Sequence, residues 1–238
     1  MNTQIFKNIL FLDIETVAQY PTYQEVPSRF QALWKKKSAF FKEAEEKSAE
    51  DLYNKAGIYA EFGKVIVIAV GYFIEKPDGL ELRIKGLANH NEKELLSEFN
   101  ELLSHFDTRR LKLCAHNGKE FDFPYLSRRM LINDIKLPKV LNHAGKKPWQ
   151  VPHIDTMELW KFGDYKHFTS LDLLAALFDI ETSKDDIDGS MVNEVYYIEN
   201  DLDRINRYCQ EDIRVLAEVY AKLTNSVDQN INKNIYIQ

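Results

Sequence analysis

Cysteine is nearly absent: only Cys114 and Cys209 occur in 238 residues. They stand far apart with no metal-like spacing, which excludes a disulfide framework or a zinc site and points to a reducing cytoplasm. Glycine (9) and proline (7) are almost as scarce, too few for a disordered or fibrous chain. No run approaches eighteen apolar residues, so no membrane-spanning segment and no membrane partner are expected. The N-terminus, MNTQIFKNILFLDIET, has no basic start followed by a long apolar stretch and a small-residue cleavage site. A secretory signal is therefore not expected. Internal repeats and low-complexity linkers are missing too.

What remains is the balance of an ordinary globular protein, with 45% hydrophobic and 29% charged residues. Its length suits one domain over residues 1–238, with an insertion. The net charge of −6 speaks at first against nucleic acid. That average hides a segregation. Between Arg109 and Gln150, ten Lys or Arg stand against three Asp or Glu, leaving 21 basic and 34 acidic residues elsewhere. A local +7 beside an acidic remainder fits a phosphate-bearing substrate; a solvated face is the plainer reading.

Residues 9–15 (ILFLDIE) are apolar without alternation up to Asp13, the pattern of a strand covered on both faces. Strands are expected at 64–74, 80–87 and 111–116, with a short fifth at 151–156. Apolar residues at 95, 96, 99, 102, 103 and 106 have a helical period. Further helices are expected from Pro124 to about 132, from Ser170, and from Glu199 to Leu223. Strands alternating with helices give an α/β layered fold. The stretch 19–60 interrupts it as a helical insertion packed on the first two strands.

Asp13 and Glu15 leave the same face of the first strand. Two acids ending an oily strand repel each other and lose hydration unless something positive lies between them or the strand end reaches solvent. On the last helix, Ile205, Cys209, Leu216, Val219 and Leu223 form an inward stripe, and Asp212 falls into it. Tyr208, four residues earlier, projects from the same side. A helix-capping salt bridge to an arginine is the competing role for Asp212. Asp122, in HNGKEFDFPYL, stands where a helix begins, so capping competes there.

Four carboxylates from separate elements suit hard divalent cations, Mg²⁺ or Mn²⁺, which take oxygen ligands and keep positions for water and phosphate. Two such ions can stabilise both the attacking and the leaving oxygen of a phosphodiester. A tyrosine beside them keeps its proton near neutral pH and can orient water. Asp13-Ile-Glu-Thr16 also approaches the Asp-x-Asp-x-Thr of haloacid-dehalogenase phosphatases, though the second acid there is Asp.

Taken together, Asp13-Ile-Glu15, Asn117-Gly-Lys-Glu-Phe121-Asp122 and Tyr208-Cys-Gln-Glu-Asp212 resemble the three motifs of DEDD exonucleases. Tyr-x-x-x-Asp resembles the DEDDy branch; the histidine branch would place His at 207, where this chain has Arg207. The chain is most similar to the 3′–5′ exonucleases related to the proofreading domain of family-B DNA polymerases, from about residue 8 to 222. The resemblance implies a ribonuclease H-like fold, a mixed five-stranded sheet flanked by helices. It implies two metal ions bridged by Asp13, with Glu15 and Asp212 on one and Asp122 serving the other, and Tyr208 orienting water. It implies that Thr16, Asn117 and Phe121 contact the terminal nucleotide. The expected substrate is the 3′ end of single-stranded nucleic acid, DNA in preference to RNA, with a replication or repair protein as a conceivable partner.

Lys161-Phe-Gly-Asp-Tyr-Lys-His-Phe168 reads either as a stacking groove for a single strand or as a loop with its rings tucked into the core. Asp188-Gly189-Ser190 reads as a plain turn or as a border of the site. Arg128-Arg129 and Lys146-Lys147 read as phosphate contacts or as solvated helix and loop ends. His116 and His153 are expected to be structural.

Overall fold

A computed structural model describes residues 6–77, 79–164, 166–182 and 187–226, and the backbone of 231–237. β1 (Ile9–Ala18) is the middle of the sheet. Its apolar run serves both faces: Phe11 joins one core, Leu10 and Leu12 the other. That explains the missing alternation. α1 (Ser28–Ser38) follows, then β2 (Gly63–Lys76), β3 (Gly79–Ala88), α2 (Glu92–Ser104), β4 (Lys112–Ala115), α3 (Asp122–Ile132), β5 (Ile154–Asp155) and α4 (Thr156–Lys161). The chain continues through α5 (Leu171–Leu177), the single turn α6 (Val192–Glu194), the long α7 (Leu202–Leu223) and β6 (Ile231–Ile237).

The sheet runs β5-β4-β1-β2-β3-β6. β1 is antiparallel to β2 and parallel to β4, so it sits where the two kinds of pairing meet. All five expected strands are present, in the α/β ribonuclease H-like arrangement. A sixth, β6, extends the edge parallel to β3. Its sequence, INKNIYI, carries Asn and Lys, residues depleted in strands.

α7 lies across one face of the sheet, where Ile205, Cys209, Ile213 and Leu216 meet Phe11, Ile66 and Ile84. α2 and α3 cover the opposite face, with Leu95, Phe99, Leu126 and Met130 against Leu12 and Ile68. Asn91 caps α2 by accepting from the backbone N–H groups of Lys93 and Glu94. Truncating a fully buried ring such as Phe99 to Ala would cost about 3–5 kcal/mol.

The insertion differs from expectation. Only α1 is α-helical within 19–60; the rest is tight 3₁₀ turns at Tyr23–Glu25, Lys42–Glu45 and Tyr53–Ile58. The packing explains this. Trp34 is fully enclosed by Phe41, Tyr53, Tyr59 and Phe62 and donates its indole N–H to the Ala49 carbonyl at 2.7 Å. One ring organises the segment, and turns bring partners to it from five directions. The last turn lies against the end of β1, where Gly57 approaches so closely that a Cβ there would sit 3.0 Å from the Val17 carbonyl carbon.

Among the described residues, no helix is long and apolar enough to cross a membrane. Cys114 and Cys209 are both free and buried.

Candidate active site

Asp13 and Glu15 project from β1 towards α7. Glu15 is only 8% exposed, and although part of Asp13 reaches the surface, its carboxyl is enclosed by protein. Between Glu15 and Thr16 the pairing of β1 with β2 slips by one residue. The extra residue belongs to β2, where Ile66 and Val67 both enter the core beneath α7.

α7 supplies the facing groups. Tyr208 and Cys209 are buried, and Asp212 stands one turn later. The Tyr208 hydroxyl is hydrogen-bonded to the Asp212 carboxylate. Asp212 lies mid-helix, which removes the end-capping role. The Cys209 Sγ sits 3.2 Å from Asp13 Oδ2 and 3.6 Å from the Asp13 carbonyl oxygen. One ligand atom each from Asp13, Glu15 and Cys209 falls within 4.8 Å of the others. Arg207 points outward and is exposed.

The third contribution comes from the turn between β4 and α3. Asn117 adopts a left-handed backbone (φ 61°), and Gly118 follows because a Cβ there would lie 2.4 Å from the Ala115 Cβ. That tight return delivers Asp122 to the first turn of α3, 3% exposed. It is not the cap: that position is Phe121, and no side chain caps the helix. Instead the Asp122 carboxylate accepts the backbone N–H of Ile14, between the two acids of β1. Pro124 occupies the opening turn, as its sequence position implied.

Burial holds the Asp13 carboxyl well above the ordinary carboxylate range, and the charges of Glu15, Asp212 and Asp122 push it further up. Burial likewise raises Asp122 to about 7, against partial compensation by backbone N–H donors. Tyr208 is pushed up by burial and then by Asp212, Glu15 and Asp13, so its hydroxyl keeps its proton. The Cys209 thiol is raised by the same pair of causes, burial first. Asp13 and Glu15 thus share one tight cluster with Cys209, and Asp212 and Asp122 act on Asp13 by charge, a cost that a cation would relieve. Oxygen donors crowded into mutual repulsion fit a hard divalent ion.

Of the three remaining expected residues, Thr16 and Phe121 are linked by Tyr125, a side chain that the sequence did not single out. The Tyr125 hydroxyl donates to the Gly57 carbonyl at 2.8 Å and also bonds the Thr16 hydroxyl, while the Phe121 ring packs against Tyr125 at 5.4 Å. The Asn117 backbone N–H is held by Asp155, 3.0 Å away. Asp155 is a second omission. Only 3% exposed, it accepts from Lys119 N at 3.1 Å and Met157 N at 3.0 Å as well, fixing the turn before α3 and the start of α4 together. The sole sequence signal for it was its place at the end of a short strand before a helical run.

Arg128 and Arg129 part company. Arg128 is exposed. Arg129 is 5% exposed and is neither a phosphate contact nor a solvated helix end: its Nε donates to Glu92 at 2.8 Å and its Nη1 to the Ala60 carbonyl at 2.9 Å. A buried guanidinium requires such partners. Lys146 and Lys147 are exposed. His153 is structural as expected; it accepts from Leu113 N at 3.2 Å, and burial depresses it to about 4. His116 bonds Thr156 and the Thr169 carbonyl, at 2.9 and 2.8 Å. Phe162 and Phe168 are 86% and 67% exposed, not tucked into the core, and Tyr165 of the same segment lies outside the described residues. Asp188 forms a plain turn, accepting from Ser190 N at 2.7 Å.

The sequence model of a family described as predicted 3′–5′ exonucleases related to the exonuclease domain of PolB matches residues 58–237. That span includes Asp122, Tyr208 and Asp212 and begins after Asp13 and Glu15. No curated protein matches the chain. Among solved structures, the family B DNA polymerase from the hyperthermophilic archaeon Pyrobaculum calidifontis superposes with a TM-score of 0.53 over 91% of this chain, at 17% identity. The chain spans 24% of that polymerase's length. At this identity the likeness is one of fold.

Proposed function

The chain belongs to the predicted 3′–5′ exonucleases related to the exonuclease domain of PolB, and from that premise we propose that residues 1–238 form one metal-dependent exonuclease domain. It removes nucleoside 5′-monophosphates from the 3′ end of single-stranded nucleic acid, DNA in preference to RNA. What supports this reading is that Glu15, Asp212 and Asp122 all act electrostatically on the enclosed Asp13 carboxyl, with the Tyr208 hydroxyl hydrogen-bonded to Asp212.

In this reading Asp13, Glu15, Asp122 and Asp212 hold two divalent ions, Mg²⁺ or Mn²⁺. When bound, such a pair supplies Lewis acidity to the scissile phosphate and lowers the pKa of attacking water. Tyr208 keeps its proton on Oη and orients that water by hydrogen bonding, its own position fixed by Asp212. Cys209 donates to Asp13 Oδ2 and holds that carboxylate in one rotamer. Thr16, Asn117 and Phe121 border the terminal nucleotide, with Tyr125 supporting Thr16 and Phe121 from behind. The free buried cysteines agree with a reducing cytoplasm. A replication or repair protein would be the natural recruiting partner.

The test uses 5′-labelled single-stranded DNA and RNA, each incubated with the protein in Mg²⁺, in Mn²⁺ or in EDTA, alongside Asp13→Ala. The expected result is a ladder shortening from the 3′ side with DNA favoured, absent in EDTA and absent in the variant. Shortening that persists in Asp13→Ala would falsify the reading.

A further inference from the structure

α3 turns two faces to its surroundings. Asp122, Tyr125, Leu126, Arg129 and Met130 face the sheet. The outward face lines a bowl of about 360 Å³ closed by the segment 137–151. The floor is apolar, built by Phe123, Leu131, Leu137 and Leu141, and Leu131 is 62% exposed. Lys119, Arg128 and Lys146 stand in the wall, and no Asp or Glu is among the described residues that line it. Lys119 pairs with Glu158 at 2.6 Å. Arg128 and Lys146 have no carboxylate within ion-pair distance among the described residues. Trp149, between wall residues Pro148 and Val151, is 75% exposed with the Lys147 ammonium 5.1 Å above its ring. An exposed ring beside unneutralised cations is the composition of a stacking platform for nucleotides. The bowl begins one residue after Asp122, and Lys119 on its wall belongs to the same turn as Asn117.

We propose that this bowl, with Arg128 and Lys146 in its wall and Trp149 beside it in the chain, binds the single strand upstream of the terminal nucleotide. Arg128 and Lys146 take phosphates, and Trp149 stacks on a base. The proposal rests on the exonuclease reading for its substrate class, and its ligand chemistry, a phosphodiester strand, is common to DNA and RNA. It draws two of its contacts from the basic stretch between Arg109 and Gln150, in a chain whose net charge is −6. Arg129, inside that stretch, is engaged by Glu92 and takes no part.

The full chain is titrated in EDTA with fluorescently labelled dT12 and, separately, rU12, by anisotropy over a series of salt concentrations. For at least one of the two strands, Arg128→Glu/Lys146→Glu should weaken binding more than about tenfold and flatten the log–log salt dependence by about 1.4, from about 0.7 per lost phosphate contact. Trp149→Ala should weaken binding about tenfold and abolish the quenching of tryptophan fluorescence by that strand. All three positions are exposed, so the melting temperature should not move. If affinity, salt slope and quenching equal those of the parent for both strands, the proposal fails. Cleavage is read in a separate assay with Mg²⁺. A parent that cleaves but shows no dependence on these residues overturns the bowl alone. A parent that binds through them yet never cleaves overturns the exonuclease reading alone.

Discussion

The thiol of Cys209 lies 3.2 Å from Oδ2 of Asp13, joining the long helix to the central strand. The thiol is buried and raised by the acids around it, so it donates. Cys209→Ser keeps a donor of nearly the same shape, whereas Cys209→Ala removes both the donor and the packing. The Ala variant should unfold about 1–2 kcal/mol more easily in urea and cleave several-fold more slowly, with Ser closer to the parent in both. Ala and Ser variants that cleave at the parental rate would remove the positioning role.

Tyr208→Phe deletes the hydroxyl and leaves the ring. The reaction should slow about tenfold or more, while the divalent-ion concentration needed for half-maximal stabilisation against heat stays unchanged. Since the hydroxyl is held protonated, the alkaline side of the parent's rate profile should show no decline from ionisation of Tyr208. Loss of metal-dependent stabilisation in the variant would contradict the role of orienting water.

The acids also set a pH dependence of stability in EDTA. Asp122 goes from an ordinary 3.8 in the unfolded chain to about 7 in the folded one, and Asp13 moves the same way. Between those values the folded chain binds protons that the unfolded chain releases, so stability falls as pH rises from about 4 to about 7. Above about 7 the contribution of Asp122 levels off. Urea melts across this window should show the decline, saturating Mg²⁺ should flatten it, and Asp122→Asn should reduce it. A stability that rises over the same window would show that the carboxyls do not sit together uncompensated.

The Arg129–Glu92 pair ties α3 to α2 beneath the surface. Arg129→Met leaves the Glu92 charge without its partner and should cost about 3–5 kcal/mol. Adding Glu92→Leu should return part of that loss, although the Val65 N–H, which Glu92 accepts at 2.8 Å, then lacks an acceptor. Chemical denaturation of the single and double variants measures the coupling.

Much of the site was legible because chemistry ran against pattern. Asp13 and Glu15 interrupt an apolar strand, and Asp212 interrupts an inward helical stripe; each marks a position where burial needs a functional or structural reason. Asp122 was harder, since an acid before Pro124 also reads as a cap, and only the folded backbone, which puts Phe121 at the cap position, separates the two. Other features depend on contacts between distant parts of the chain. Arg129 meets Glu92 across 37 positions, and Asp155 reaches Asn117 across 38. Neither pairing leaves a local trace in hydropathy or spacing. The same holds for the insertion, where composition promised helix and the needs of one indole ring produced turns.

Asp155 joins two elements at once. Its two oxygens grip the peptide that precedes α3 and the peptide that opens α4, and its charge acts on Asp122 through the space between. His116 repeats the link from the other side, through Thr156 and the Thr169 carbonyl. Two separate side chains thus fasten the turn that carries Asn117 to the start of α4, so replacing Asp155 would strip acceptors from backbone groups on both sides of the join at once.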